Sequence, residues 1–418
     1  MNFLRALSRF IVGSVFLFSG FVKIIDPTGV GLIVEEYFKF IGLGNWHLFY
    51  VLIGALLSIA EMLLGLSILL GLKMKIMIRG VLLFMLFFTL LTFLVALFNP
   101  ITDCGCFGEA IKLSNWNSFF KDLILLFFAF ILYFQRDNFI PIAPNRWEWI
   151  YTFAFAFLLV GLSLYSYRNL PMIDFMEFKV GTNIKKRLNV DSDSDLQKFK
   201  TILIYSKEGE RYEFSIDEIP DSSYTFIDSK TVDNKKEDTL IPIDFAVTNN
   251  SGSYITDSLL SIPGPFFIAT SPFAEALGKK RSARLNILYD SLLKKDVPMV
   301  LLTGSSQQQN NLVVQTHNLK MPVYHTDYKT LYTMNRSFGG VIFLYDATIV
   351  SKWATSNIPF KSLDDILNED PELIAAKAKI GEYLTLEISI FILLLIIALM
   401  RYLLRMFYKP TNNEIREK

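Results

Sequence analysis

Cys104 and Cys106 are the two cysteines of this 418-residue chain, and they stand one residue apart in Thr102-Asp103-Cys104-Gly105-Cys106-Phe107-Gly108, between two long apolar runs. A single glycine between them lets the backbone bend tightly enough for the sulfurs to meet in a small strained ring, and strain makes a disulfide easier to reduce. Closing so short a loop removes little freedom from the unfolded chain, so such a bond is a weak staple and a fair oxidant. The pair is open to three roles: a redox dithiol, a tight structural turn, or a metal or cluster ligand. The third has the least support. A structural zinc takes about four ligands, there is no second cysteine pair, and His47, His317 and His325 lie far off in sequence; no metal is expected.

The elements that must hold this loop are membrane helices. The chain is 52% hydrophobic with 38 Phe and only 19% charged residues, and its mean hydropathy of +0.37 places it with integral membrane proteins, whose partner is the lipid bilayer. A net charge of +1 offers no clustered basic surplus for phosphates, which argues against a nucleic-acid partner. Six runs near 5–25, 47–72, 77–98, 116–134, 147–167 and 384–407 are long enough to cross a hydrocarbon core. The first is interrupted by Gly13, Ser14, Ser19 and Gly20 and lacks a small-residue cleavage site, so it is expected to be a retained helix rather than a signal peptide. Threading six spans puts Arg5, Arg9, Lys73, Lys75, Arg79, Arg136 and Arg146 on one side, together with Arg401, Arg405, Lys409, Arg416 and Lys418, while the short loops of the other side hold Lys23, Lys39, Lys112 and Lys121 with Asp26, Glu35, Glu36, Asp103, Glu109 and Asp122. The positive-inside bias then predicts cytoplasmic termini at an inner membrane, with the cysteine loop and residues 168–383 outside. In a bacterium that space is the periplasm, where disulfides persist.

Glu61 lies mid-span, where an unpaired carboxylate costs a few kcal/mol or more. Lys23, near the outer end of the first span, is a plausible partner, with Asp26 close behind. These three form a candidate intramembrane polar site. One reading makes Glu61 a proton-handling or quinone-site carboxyl near the thiols; the other makes it a hydrogen bond that holds helices together. Both remain open.

The outward segment begins with a polar Asp/Ser/Lys-rich stretch whose Lys185-Lys186-Arg187 and Asp191, Asp193 and Asp195 read as a solvated linker face, followed by a hairpin at 201–214. Beyond 260, apolar runs alternate with helical patterns: a strand at 266–270, a helix at 273–294, a strand at 298–302 and a helix at 306–318. Then come a strand at 323–325, a helix at 328–336, a hairpin at 340–353 and a short helix at 361–368. Two crossover units followed by a hairpin and a helix suggest a thioredoxin-like α/β domain. The expected division is 1–168 bundle, 169–260 linker and β-rich segment, 261–383 α/β domain, and 384–418 anchor and tail. The Phe-rich stretch from Phe84 to Phe98 reads as lipid-facing packing, and His317 and His325 read as ordinary histidines of the α/β domain.

The first four spans resemble DoxX/MauE-type membrane proteins. The resemblance rests on Arg9 through Gly13, Phe18 through Lys23 with Asp26-Pro27, Glu61-Met62 followed by Gly65 and Gly71, and Cys104-Gly105-Cys106-Phe107-Gly108. It covers about a third of the chain. Together with its tail the chain is similar to fused DoxX-type proteins of the Bacteroidota, which append a thioredoxin-like domain after a fifth span. The fold implied is a membrane α-helical bundle of four to five spans, an α/β thioredoxin-like periplasmic domain and a C-terminal transmembrane helix.

The resemblance implies thiol–disulfide chemistry in the cell envelope, and it puts redox function on Cys104 and Cys106 alone. Where an active thioredoxin carries Cys-x-x-Cys this chain reads Thr270-Ser271-Pro272-Phe273-Ala274-Glu275, and Ser337-Phe338-Gly339-Gly340 stands where a proline often precedes the final hairpin. The tail is therefore expected not to exchange disulfides itself but to dock a client or partner protein above the membrane site, or to bind something unrelated to redox. Two function classes stay open. In one, the chain is a thiol–disulfide oxidoreductase whose electrons leave to a quinone or a second redox protein; no cofactor is certain. In the other, it is a non-catalytic scaffold or accessory subunit of a larger envelope complex.

Overall fold

The computed structural model describes residues 2–40, 42–44, 46–99, 101, 104–139, 142–188, 199–207, 210–215, 225–233 and 245–407, with backbone alone for the strands between 199 and 233. Thr102, Asp103, the linker aspartates at 191, 193 and 195 and the basic residues 409, 416 and 418 lie outside the described residues.

The N-terminal half is helical: α1 (Asn2–Ile25), α2 (Pro27–Phe40), α3 (His47–Leu70), α4 (Met74–Phe98), α5 (Asn115–Phe134) and α6 (Asn145–Arg168). Five of these, with the long C-terminal helix, are long and apolar enough to cross a membrane. They coincide with the six runs read from the sequence. The helix α2 was not expected; at 14 residues it is too short to span. It starts where Asp26 Oδ1 accepts the Gly29 N–H at 3.0 Å, with Pro27 at the first helical position, where its missing N–H costs nothing.

Backbone contact between α1 and α3 sets the geometry of the bundle. A Cβ on Gly20 would lie 2.5 Å from the Met62 nitrogen, and one on Gly65 would lie 2.5 Å from the Leu17 nitrogen. Small residues let membrane helices approach this closely, and the approach brings Lys23 of α1 alongside Glu61 of α3. Val12, Phe16, Ile78, Val81 and Ala129 fill the core between α1, α4 and α5. Phe87, Phe98, Phe127 and Phe134 point outward, as surfaces bathed in lipid do.

After the short helix α7 (Ile184–Leu188) come β1 (Phe199–Lys207), β2 (Glu210–Ser215) and β3 (Thr225–Asp233), an antiparallel sheet in the order β2-β1-β3. The expected hairpin is β1/β2, with Leu203 opposite Phe214; β3 was not read from its polar sequence. The next elements are α8 (Thr256–Leu260), β4 (Pro265–Ser271), α9 (Gly278–Leu293), β5 (Met299–Thr303), α10 (Gln307–His317), β6 (Val323–His325), α11 (Tyr328–Met334), β7 (Gly340–Tyr345), β8 (Thr348–Trp353) and α12 (Leu363–Asn368). Their mixed sheet runs β6-β5-β4-β7-β8, with β4, β5 and β6 parallel and β7 and β8 antiparallel to their neighbours. Continuous burial along β4 and β5 is what a strand covered on both faces requires. Phe267 and Leu301 meet α9 on one face, and Ile268 and Leu302 pack on the other.

Two boundaries differ from expectation. The helix expected over 273–294 is broken into a 3₁₀ turn at Ala274–Leu277 and α9, because Gly278 takes a positive φ of 61°. The last helix, α13 (Pro371–Phe407), begins well before 384, since no proline interrupts residues 372–383 and Gly381 is tolerated within the helix.

The α/β domain rests on the bundle through α11 and the turn after it. Arg336 donates from Nη2 and Nε to Asp26 Oδ2 at 2.8 and 3.1 Å. The Tyr332 hydroxyl lies 2.8 Å from His47 Nε2, and the two rings stack. Lys329 pairs with Glu36 at 2.5 Å.

Candidate functional site

The cysteine loop closes one end of a cavity of about 80 Å3 bounded by α1, α2, α3, α4 and α5, and Cys104, Cys106, Lys23, Glu61, Lys121 and Asp122 all reach it. The loop is held from several sides. Ser19 of α1 donates its hydroxyl to the Cys106 carbonyl at 2.7 Å. Asn115, at the start of α5, donates to Asn99 Oδ1 at 2.7 Å and to the Ile101 carbonyl at 2.8 Å, tying the entry of the loop to its exit. Gly105 sits at φ 65°, where a side chain is strained, and a Cβ there would come within 2.3 Å of Ile33 Cδ1. These constraints put the two free thiols face to face, Sγ to Sγ 2.6 Å.

The pair is asymmetric. Cys104 is buried and Cys106 partly accessible. Hydrogen bonding from Cys106 lowers the Cys104 thiol to about 7; burial opposes this, while the Ser118 hydroxyl 3.0 Å away, the Cys106 backbone and the Lys121 charge assist. Cys106 is raised well above the ordinary range, first by its hydrogen bond to Cys104 and then by burial, with Lys121 pulling the other way. Cys104 is therefore the sulfur that ionises, and Cys106 keeps its proton.

Of the residues singled out in the sequence, the structure brings four together. Lys23 Nζ lies 2.8 Å from Glu61 Oε2, with the side chains 12% and 9% exposed. Both line the cavity that the cysteines close. Asp26 does not join them: it caps α2 and faces Arg336. Sequence reasoning missed Lys121 and Asp122, which it had set among the loop charges. Lys121 lies 2.9 Å from Asp122 Oδ1 and 4.7 Å from the centre of the Phe107 ring, and Asp122 also accepts from the Thr92 hydroxyl at 3.1 Å. Adjacent charges at the head of an apolar span were the signal available, since such groups rarely face lipid. His47 was set aside as remote, yet it joins Glu35, at 3.1 Å, to Tyr332. His317 and His325 bond within the α/β domain, to Ser282 and to the Ser305 carbonyl.

Above the cavity a cleft of about 430 Å3 opens between α2, residues 108–114 and α11. Ile33 lines both spaces. The cleft carries both charge signs, with Glu35, Glu36 and Glu109 facing Lys39, Lys112 and Lys329. Burial alone would push the Glu35 carboxyl up, but hydrogen bonds from His47 and Lys39 outweigh it and hold the group below the ordinary range. Among the described residues no group of three or more His, Cys, Asp or Glu is arranged to hold a metal ion.

Six long apolar helices with a mixed-sheet domain docked on one end define an integral membrane protein embedded in the lipid bilayer. Its residues 1–135 match the family model described as methylamine utilisation protein MauE, so the chain carries a MauE-family membrane domain that ends before α6. Residues 199–236, which contain β1 to β3, match a domain of unknown function, DUF8463. No curated protein matches the chain.

Proposed function

We propose that this protein is a thiol–disulfide exchange protein of a bacterial inner membrane, with both termini cytoplasmic and the α/β domain periplasmic. The carrying observation is the pair of free thiols held face to face, Sγ to Sγ 2.6 Å, where their loop closes a cavity that also receives Lys23, Glu61, Lys121 and Asp122. In the oxidised protein a partner's thiolate attacks the more accessible Cys106 sulfur. Cys104 leaves as the thiolate, which its low pKa favours and which Ser118 and Lys121 stabilise. The partner's second thiol then displaces Cys106 and gives it its proton, so the partner gains a disulfide and the pair gains two electrons and one proton, with Cys104 left as the thiolate.

The proposed organisation is 1–168 bundle, 169–260 linker and β-rich segment, 261–383 thioredoxin-like domain and 384–418 anchor and tail. Parallel β4 and β5 joined through α9, followed by the β7/β8 hairpin, support the thioredoxin-like reading. So does the placement of Phe273 and Phe338, on the segments where a thioredoxin keeps its active motif and its proline loop. Both rings pack edge-on against His47 of the bundle. That face is already occupied within the chain, which leaves the cleft between α2 and α11 as the docking place for a partner.

Acid quenching of cells followed by mass-shift alkylation tests this reading. A mixture of oxidised and reduced pair is expected in the wild type, with a partner adduct trapped on Cys106 in Cys104→Ala and far less in Cys106→Ala. Thiols that stay fully reduced and form no adduct would sink it. One observation favours a second reading, a non-catalytic scaffold: the cysteine-free domain is clamped over the loop by the Arg336–Asp26 contact. The scaffold reading requires that Cys→Ser at both positions leaves the protein working.

A further inference from the structure

We infer that Glu61 is the proton acceptor of the thiol pair, taking the Cys106 proton across water held in the cavity each time the Cys104–Cys106 bond forms; the inference rests on the exchange reading above. Cys106 is the sulfur that keeps its proton, and it must part with it before the S–S bond closes. In the free pair that proton has the Cys104 sulfur, 2.6 Å away, as its acceptor. Once Cys104 is tied up in a mixed disulfide, the proton needs another.

Two carboxylates reach the cavity, Glu61 and Asp122, and their partners tell them apart. Both oxygens of Asp122 are engaged, Oδ1 by Lys121 at 2.9 Å and Oδ2 by the Thr92 hydroxyl at 3.1 Å. Glu61 uses Oε2 alone, for Lys23 at 2.8 Å, and its Oε1 has no partner among the described residues. The nearby hydroxyls are committed as donors, Ser19 to the Cys106 carbonyl and Ser58 to the Gly54 carbonyl. An enclosed carboxylate oxygen is satisfied by water where the protein offers it nothing. One buried water needs roughly 10–15 Å3 and two to four polar partners. The cavity offers about 80 Å3, and each ammonium has three donors, so Lys23 and Lys121 keep N–H groups to hold such water between Glu61 and the thiols.

The step balances with an acceptor disulfide as the oxidant. The Cys104 thiolate attacks one acceptor sulfur, and the other leaves as a thiolate. Cys106 then attacks Cys104 Sγ: the Cys104–Cys106 bond forms, the bond to the acceptor breaks, and the second acceptor sulfur also leaves as a thiolate. The pair has lost two electrons and the Cys106 proton, and the acceptor has gained the two electrons. The proton stands on Glu61, from which it passes to a leaving thiolate or to bulk water.

The test uses the full chain in lipid nanodiscs, reduced, freed of reductant and mixed with glutathione disulfide, with acid quenching and mass analysis to separate the glutathione adduct on Cys104 from the closed pair. The wild type is expected to form the adduct and resolve it. Glu61→Gln, which keeps a hydrogen bond to Lys23, should form the adduct at the wild-type rate and resolve it about a hundredfold more slowly, the low end of what a positioned acid–base group contributes. Its resolution should also quicken about tenfold per pH unit, because the thiolate is the nucleophile and Cys106 must then ionise unaided. Glu61→Asp should stay within a few-fold of the wild type, since water spans the missing methylene. Resolution by Glu61→Gln at the wild-type rate overturns the inference and leaves the exchange reading standing. Equal slowing by Glu61→Gln and Glu61→Asp with an unchanged pH profile marks Glu61 as structural and overturns it too. A wild type that forms neither adduct nor closed pair removes the exchange reading itself.

Discussion

The bundle and the α/β domain bury polar groups in opposite ways. In the bundle, charges are sunk in pairs: Lys23 with Glu61 and Lys121 with Asp122 around the space that holds the two thiols, and Lys73 with Glu148 apart from it. In the α/β domain the sheet is covered by two apolar clusters, and pairs such as Lys320–Asp290 and Lys295–Asp364 lie on the surface. Buried charge is expensive in any medium and most of all in a bilayer. The bundle tolerates it beside the two cysteines, in pairs that share one cavity, whereas most ion pairs of the α/β domain stay in water. One exception in the α/β domain is Lys352, 6% exposed and paired with Asp174; the other is the edge that meets the bundle, where Arg336 is 4% exposed.

That edge offers the largest effect. Arg336→Ala leaves Asp26 partly buried without its partner, and breaking a buried pair from one side costs about 3–5 kcal/mol. Thermal unfolding in detergent should fall accordingly, and the Asp26→Asn/Arg336→Met double variant should recover most of the loss. A loss below about 1 kcal/mol, the surface-pair range, would show that the edge behaves like the rest of the domain surface.

Next in size is the ionisation of the thiols. Cys104 is depressed to about 7 chiefly by hydrogen bonding from Cys106, so its reactive thiolate is present above that pH and is lost as pH falls through it. Cys106→Ala removes the leading cause. The alkylation profile of Cys104 should then move up, toward the ordinary cysteine value of about 8.5. An unmoved profile would mean that Ser118 and Lys121 set the ionisation without Cys106.

Much of this was legible in the sequence, for definite reasons. The spans stood out because about 20 apolar residues have one common use. Lys23–Glu61 could be paired because a mid-span carboxylate demands a partner. The hairpin at 340–353 followed from two apolar runs around Asp346-Ala347, both of which take positive φ. What could not be read depends on contacts across the chain. Asp26 sits as near Lys23 in sequence as any candidate partner, yet Arg336, 310 residues away, takes it. His47 carries no local pattern, and its role comes from Tyr332 of the other domain. Lys121 and Asp122 were hidden by lying next to each other, which reads as a neutral surface pair until the helix places them against the thiols.

The Lys23–Glu61 pair sharpens the contrast at a smaller scale. Polar contacts between membrane helices contribute about 1–2 kcal/mol at most, because the separated helices also find partners. Glu61→Gln keeps a hydrogen bond to Lys23 and should cost less than Glu61→Ala. A double-mutant cycle with Lys23→Met, read by unfolding in detergent, should give a coupling within that range. Coupling near zero would mean that the two groups face the cavity independently.

The smallest effect belongs to Lys329 and Glu36, which bridge the same two regions as Arg336 and Asp26 but with side chains 55% and 38% exposed. Water screens such a pair and side-chain entropy opposes it, so exposed ion pairs contribute about 0–1 kcal/mol. Lys329→Ala should therefore leave thermal unfolding almost unchanged at any salt concentration, although its ionic contact is as short as any across this junction. Burial, not contact length, is then what separates the two pairs. If Lys329→Ala destabilised the protein as much as Arg336→Ala, the junction would be held by its net charge pattern, and the contrast between a charge-burying bundle and an apolar α/β domain would not extend to the surface where they meet.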